Sequence, residues 1–295
     1  MRKFYISVIL FMLPIIVFMG GAECYVRRIP NIYKYKNDWM EQHAEEVETL
    51  ILGSSHTLDG INPDFLGKNT FNLAFSGQTL KYDHYLFFRW VYRLKNLKII
   101  IFPISYFTFF SSDLEQIRET YYSIYMDYSA PSIGLEMLYY GPFMAKIVQY
   151  KGGRTLECQK NGWARRSLID KDTANWNKDY IAASLVRAQT AKSWEGIGLN
   201  YSYLSEMASY CKEHGIRFVM VTLPHTKGYN QHLDKKQLGK TLSLVSSMKH
   251  QYNLEFFDYR EDGRFVDDDF IDQSHLSDVG AEKFTKILMG DLLLN

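Results

Sequence analysis

Thr49-Leu50-Ile51-Leu52-Gly53-Ser54-Ser55-His56-Thr57 reads as a short buried strand that stops at a tight turn. An apolar run of this length suits a strand covered on both faces, and Gly53 lets the chain turn sharply where the run ends. Similar runs recur at 71–75, 98–104, 217–223 and 254–259, and helical patterns occupy 79–94, 201–214, 235–251 and 281–294. Strands rich in Ile, Val and Phe that alternate with helices predict an α/β fold, a mainly parallel sheet covered on both faces. Ligands in such folds sit at the carboxyl ends of the strands. The candidate residues at 53–57, 72–78, 105 and 225 all follow such an end.

The chain has 295 residues, 46% hydrophobic and 23% charged, which is enough to bury a large core in one main domain with an insertion. Its 34 basic and 33 acidic side chains leave a net charge of +1, so no overall field draws it onto nucleic acid. Cys24, Cys158 and Cys211 are too few and too scattered for a disulfide framework, and none forms a CxxC pair. No HExxH, P-loop or Rossmann glycine pattern occurs, which argues against metal, nucleotide and dinucleotide chemistry, so no cofactor is expected.

Arg2 and Lys3 precede an uncharged apolar run from Phe4 to Met19. Because Gly20-Gly21-Ala22-Glu23-Cys24 fits neither an A-x-A site nor a lipoprotein site, residues 1–24 are expected to form an uncleaved membrane anchor. Basic residues before the span place the N-terminus in the cytoplasm and the remaining domain outside, with Arg27 and Arg28 pulling the other way. Residues 25–46 are expected to connect the anchor to a catalytic domain spanning 47–295. Within it, the stretch from about 109 to 200 breaks the alternation and reads as a helical insertion. It carries the Tyr-rich segment 120–128, Tyr139-Tyr140-Gly141-Pro142 and Gly152-Gly153-Arg154. An excursion from the third strand's end would hang over the active face, as a substrate cleft, a docking surface or a structural cap.

The sequence Asp272-Gln273-Ser274-His275-Leu276-Ser277-Asp278 carries the chemistry near the C-terminus. Ser277 is a plausible helix N-cap, which leaves Asp272 and His275 on the preceding loop, where a tight turn brings the carboxylate to imidazole Nδ1. Such a carboxylate fixes the tautomer and leaves Nε2 free to take a proton from a nucleophile. A serine on the turn after the first strand, Ser54 or Ser55, is suited to be that nucleophile, with N–H groups of the following helix facing a developing oxyanion. Gly77, after the second strand, could let its own N–H approach the same oxyanion.

Together these residues resemble the SGNH, or GDSL-like, hydrolase superfamily. Gly53-Ser54-Ser55 is similar to its first block, with Ser54 in place of the usual Asp; Gly77 matches the second-block glycine, and Asp272-x-x-His275 the last block. The resemblance covers about 50–106 and 217 to the end, and leaves out the insertion. It implies a flavodoxin-like three-layer sandwich with a five-stranded sheet, Ser55 as nucleophile, His275 as base and Asp272 as its partner. It also implies oxyanion N–H groups from Ser55 and Gly77. The third block, normally Gly-x-Asn-Asp, is replaced by Phe102-Pro103-Ile104-Ser105-Tyr106, and Ser105 is the nearest substitute for the missing Asn.

The anchor, the Gly-Ser-Ser block and the Tyr-rich middle further resemble the membrane-anchored acyl-transfer branch, which includes the D-alanyl-lipoteichoic acid transfer protein and SGNH proteins of polysaccharide O-acetylation. That resemblance implies transfer of an acyl group, acetyl first, to an extracytoplasmic glycan, supplied by a membrane-bound O-acyltransferase partner. Hydrolysis of acyl esters and a non-catalytic glycan-binding or assembly role are the alternatives.

His225, ending the fourth strand, and His56, beside the nucleophile, are candidate substrate contacts or residues without a role; with Ser55 turned inward, His56 is expected to point away. Trp163 could stack on a sugar ring or pack in the core. Asp267-Asp268-Asp269 lacks the spacing of a calcium loop and reads as a solvated acidic turn.

Overall fold

The computed structural model describes residues 1–111, 116–129 and 158–294. In chain order these form α1 (Arg2–Val26), α2 (Ile32–His43), β1 (Thr49–Ile51), α3 (Ser55–Gly60), β2 (Thr70–Asn72), α4 (Leu80–Trp90) and β3 (Ile99–Pro103). After these come α5 (Gln116–Tyr125), α6 (Asp179–Gln189), α7 (Ile197–Glu213), β4 (Arg217–Thr222), α8 (Lys227–His232), α9 (Lys235–Tyr252), β5 (Glu255–Asp258) and α10 (Asp278–Leu294). Two compact units result, Met1–Trp39 with Leu114–Glu157, and Met40–Asp113 with Cys158–Asn295. Tyr139-Tyr140-Gly141-Pro142 and Gly152-Gly153-Arg154 lie outside the described residues.

In the first unit, α1 is, among the described residues, the one helix long and apolar enough to cross a membrane, with 25 residues and a mean hydropathy of 2.3 over its best window. At 1.5 Å per residue, such a helix exceeds the roughly 30 Å of a bilayer's hydrocarbon core. The Tyr-rich segment packs on itself and on α2: Tyr33 stacks on Tyr121 at 4.7 Å and meets Tyr122 edge-on at 5.4 Å.

The second unit is built on a five-stranded, all-parallel sheet of order β2-β1-β3-β4-β5. Leu50 pairs with Phe71 on one side and Ile100 on the other, and Ile100 with Phe218. Successive strand residues face opposite ways, so Ile51, Ile101, Val219 and Val221 share one face. There they pack with Ala281, Phe284, Leu288 and Leu292 of α10, whose spacing of three and four makes one apolar stripe. Leu50, Ile100 and Met220, equally buried, face the other way. The helix α7 presents Leu204, Met207, Ala208 and Cys211 inward and packs with α4, α9 and β4. Helices on both faces of a parallel sheet make the three-layer α/β sandwich.

All five strands and the four long helices fall where the sequence pattern puts them, within a few residues. Asp267-Asp268-Asp269 is not wholly solvated: Asp269 is buried and accepts hydrogen bonds from Val266 N (2.8 Å) and Lys283 Nζ (2.7 Å).

Gly280, in the first turn of α10, presses on this turn, and a Cβ there would lie 1.9 Å from the Asp269 carbonyl oxygen. Backbone cannot yield as a flexible side chain can, so Gly280→Ala is expected to destabilise the protein by about 1–3 kcal/mol. Gly290, further along α10, meets nothing within 4 Å, and Gly290→Ala is expected to be neutral or to stabilise by up to about 1 kcal/mol. Urea denaturation of the two variants checks the pair; equal effects would mean that the α10 contact is not tight.

Candidate active site

The strand order reverses about β1: the chain leaves it for β2 on one side and returns to β3 on the other. The crevice at the carboxyl ends of β1 and β3 is therefore the switch point where such sheets bind ligands. Ser55 follows β1, Ser105 follows β3, and His225 follows β4.

Gly53 makes the turn after β1 at φ +109°, a conformation L side chains rarely adopt, and a Cβ there would lie 2.1 Å from the Pro103 ring. The turn delivers Ser55 as the first residue of α3, where N–H groups have no intrahelical acceptor. Two further contacts hold it. Thr57 Oγ1 donates back to Leu52 O (2.7 Å), and Asn72 Nδ2, at the end of β2, donates to Thr57 O (2.8 Å).

The loop before α10 brings the other partners. Ser55 Oγ lies 2.8 Å from His275 Nε2, and His275 Nδ1 lies 2.9 Å from both Asp272 carboxylate oxygens. The carboxylate can only accept at this site while ionised, so Nδ1 carries the proton and Nε2 accepts from the serine hydroxyl. Asp272 Oδ1 also accepts from the backbone N–H of Ser274 (2.9 Å) and His275 (3.0 Å), which fixes it within its own turn. Ser277 caps α10, its Oγ accepting from Gly280 N at 3.2 Å.

Burial alone would lower the His275 pKa, but the hydrogen bond and charge of Asp272 outweigh it and hold the imidazole above its ordinary 6.5. For Asp272, burial pushes upward and is outweighed by His275 and the two backbone donors, so the carboxyl sits well below its usual 3.8.

His56 does not point away. On a strand, neighbouring side chains alternate, but Ser55 and His56 open a helix, where they are only about 100° apart, and both face the crevice. The His56 ring is buried with its centroid 5.1 Å from His275 and 5.3 Å from His225. Its Nδ1 lies 2.8 Å from Ser105 Oγ, so the Ser105 hydroxyl, expected to face an oxyanion, is engaged with His56 instead. Burial first, then the neighbouring His275 and His225, keep His56 well below its ordinary pKa and therefore neutral. His275 is left as the imidazole of the three with a carboxylate to support its charge.

Trp163 is a core residue, buried and with its indole N–H donated to Asp59 O at 2.6 Å, so the sugar-stacking role expected for it is not available. Its neighbour Gly162 comes so close to the end of β2 that a Cβ would sit 2.1 Å from Asn72 O. Gly77 occupies an exposed turn position at φ +67°.

One buried group went unnoticed in the sequence. Asp83 lies on the inward face of α4 among Leu80, Leu86, Phe87 and Trp90. Its Oδ1 accepts from Gly53 N (2.8 Å) and from the Gln78 side chain, tying the turn that bears the nucleophile to the turn after β2. Burial outweighs both bonds and lifts its pKa to about 7. A carboxylate at helical spacing within an apolar stripe is the signal that could have found it.

No protein-family model matches the chain, and the search of curated proteins found no match. Solved structures do match. A "putative acylhydrolase" from Bacteroides fragilis NCTC 9343 aligns over 86% of this chain and 93% of its own, at 12% identity and a TM-score of 0.44. A GDSL-like lipase from Bacteroides thetaiotaomicron VPI-5482 aligns over 88% and 97%, at 13% identity and a TM-score of 0.40. At these scores the likeness adds no weight to the chemistry, which stands on the geometry above.

Proposed function

We propose that this chain is a serine acyl-transfer enzyme of the SGNH type, moving an acetyl group to a hydroxyl of an extracytoplasmic polysaccharide or envelope glycan. The hydrogen-bonded series Ser55 Oγ to His275 Nε2 and His275 Nδ1 to Asp272 carries the reading. In the first half-reaction Ser55 Oγ attacks the ester carbonyl carbon as its proton passes to His275 Nε2. The tetrahedral intermediate collapses, the ester C–O bond breaks, and His275 returns the proton to the leaving alcohol. The acyl-Ser55 ester is then attacked by the acceptor hydroxyl, whose proton goes to His275, and the serine hydroxyl is regenerated with the same proton. The N–H groups of Ser55 and Gly77 are proposed to face the oxyanion, with His56 and His225 beside the substrate. An uncharged His56 next to His275 supports this scheme, since a second cation there would oppose protonation of the base.

The apolar length of α1 supports a membrane anchor, and Arg2 and Lys3 before the span support an orientation with the rest of the chain outside a cytoplasmic membrane, where a membrane-bound O-acyltransferase could supply the acyl group. Hydrolysis uses the same residues with water as the acceptor.

The test is a fluorophosphonate probe on the full-length chain in detergent, followed by para-nitrophenyl acetate turnover with oligosaccharide present. Ser55 is expected to label and Ser55→Ala to remain unlabelled, with acetyl recovered on sugar. Release of acetate alone would make the protein an esterase, and failure of Ser55 to label would leave a non-catalytic glycan-binding or assembly role.

A further inference from the structure

A groove of about 960 Å³ opens beside the candidate site, walled by the loops after β4 and β5, by the Asp267–Asp269 turn and by Trp176. That is the upper end of the range for ligand pockets. It joins the candidate site at His225, which lines it: the His56 ring centroid lies 5.1 Å from that of His275 and 5.3 Å from that of His225. Gln273, two residues before His275, forms part of the same wall, held by Thr226 Oγ1 donating to its carbonyl (3.1 Å) and by its own amide donating to Trp176 O (2.6 Å).

Among the described residues, three buried polar atoms of side chains that line this groove have no partner: Nδ1 and Nε2 of His225 and Oδ1 of Asn230. Asn230 Nδ2 is fixed on Arg260 O at 2.8 Å, which settles which end of the amide is left over. His225 is 6% exposed, and its ring stacks on Tyr229 at 4.6 Å, so it cannot turn to find a partner elsewhere. Burial, followed by the charge of His275, lowers its pKa to about 3, and at neutral pH it offers one donor and one acceptor. Leaving such groups unpaired is costly. A hydroxyl both donates and accepts, and a run of hydroxyls on one ring suits an imidazole and an amide carbonyl together.

The rim adds a charge preference. Glu261, Asp262, Asp267 and Asp268 line the groove with Lys227; Asp262 is paired with Arg264 at 2.5 Å, and Lys171 donates to the Asp267 carbonyl oxygen, so among the described residues carboxylates remain in excess by one. A chain of uronates or phosphates would be repelled there. Trp176 and Phe265 also line the groove, with Lys171 Nζ 3.6 Å from the Trp176 ring centroid and Lys283 Nζ 5.2 Å from that of Phe265.

We infer that this groove binds a saccharide chain that is neutral or amine-bearing, and rejects polyanionic glycans. That the bound sugar is the acyl acceptor rests on the acyl-transfer reading; the binding itself does not.

The experiment uses the full-length protein in detergent at low salt, titrated with cellohexaose, a chitosan hexamer and a hexamer of galacturonate, and followed by tryptophan fluorescence and saturation-transfer NMR. The first two are expected to bind, and galacturonate at least tenfold more weakly. His225→Phe keeps the ring and removes the hydrogen bonds, and is expected to weaken the binding sugar about tenfold. Asp268→Asn, on the exposed rim, is expected to narrow the gap between galacturonate and cellohexaose without touching the base. Equal binding of galacturonate, no binding of any hexamer, or full affinity in His225→Phe would each overturn the inference. Fluorophosphonate labelling of Ser55 in the same samples separates the two readings. Labelling without sugar binding removes the groove alone, and sugar binding without labelling removes the acyl-transfer chemistry alone.

Discussion

Asp272→Asn should lower kcat on the order of 10⁴-fold, the scale seen when the orienting carboxylate of a serine triad becomes an amide, and should move the acid limb of the pH profile downward. The reason lies in the turn. The N–H groups of Ser274 and His275 both point at Oδ1, so an Asn side chain will keep its oxygen there and turn its NH₂ toward His275 Nδ1. An NH₂ can only donate, so Nδ1 must become the acceptor and the ring proton moves to Nε2, facing Ser55. The base then carries its proton on the wrong nitrogen. The sign of the pH effect follows from the raised His275 pKa. Wild-type activity is lost as pH falls through a value above 6.5, because the base must be neutral to act; without the carboxylate that value drops, leaving burial to push it below 6.5. Profiles of kcat from pH 5 to 9 on a soluble acetyl ester check both parts. A variant with an unmoved limb would mean that His275 is not the titrating base.

Asp83→Asn should stabilise the protein above pH 7 by up to about 4 kcal/mol. The folded-state pKa of about 7 stands roughly three units above the ordinary 3.8, and each unit is worth about 1.4 kcal/mol. Between those values the folded chain holds a proton that the unfolded chain has shed, so wild-type stability falls as pH rises from about 4 to 7 and is level beyond. An Asn oxygen can accept from Gly53 N and Gln78 as the carboxyl does, and it has no charge to desolvate. Urea denaturation at pH 4.5 and pH 8 measures the difference. A gain of equal size at both would show that Asp83 is not protonated in the fold.

The sheet was legible because its strands are buried on both faces, which leaves uninterrupted apolar runs, and because each run ends at a residue that can turn. Short-range spacing and strand ends pick out Asp272, His275 and a serine on the first turn as candidates, and the family resemblance singles out Ser55 over Ser54. What the pattern missed depends on contacts between distant segments. His56 was misplaced because the turn at Gly53 passes directly into α3, so alternation gave way to helical spacing one residue earlier than a strand reading allows. Trp163 became core because Asp59 O, about a hundred residues away in the chain, takes its N–H. Ser105 was placed correctly after β3, but its partner is set by the inward turn of His56. The Tyr-rich helix lies in the stretch read as an insertion, and its Tyr121 ring stacks on Tyr33 of α2, a contact between distant segments that spacing does not show.

Ser55 and His275 are separated by 220 residues. At ribosomal speeds of about 5–20 residues per second, Ser55 exists for roughly 10–40 seconds before His275 has been made. Throughout that interval the serine hydroxyl has no base to receive its proton and is as inert as any other. The Ser55–His275 pair forms only when the loop before α10 docks. Any chemistry that needs the pair is thereby delayed by the order of the sequence itself.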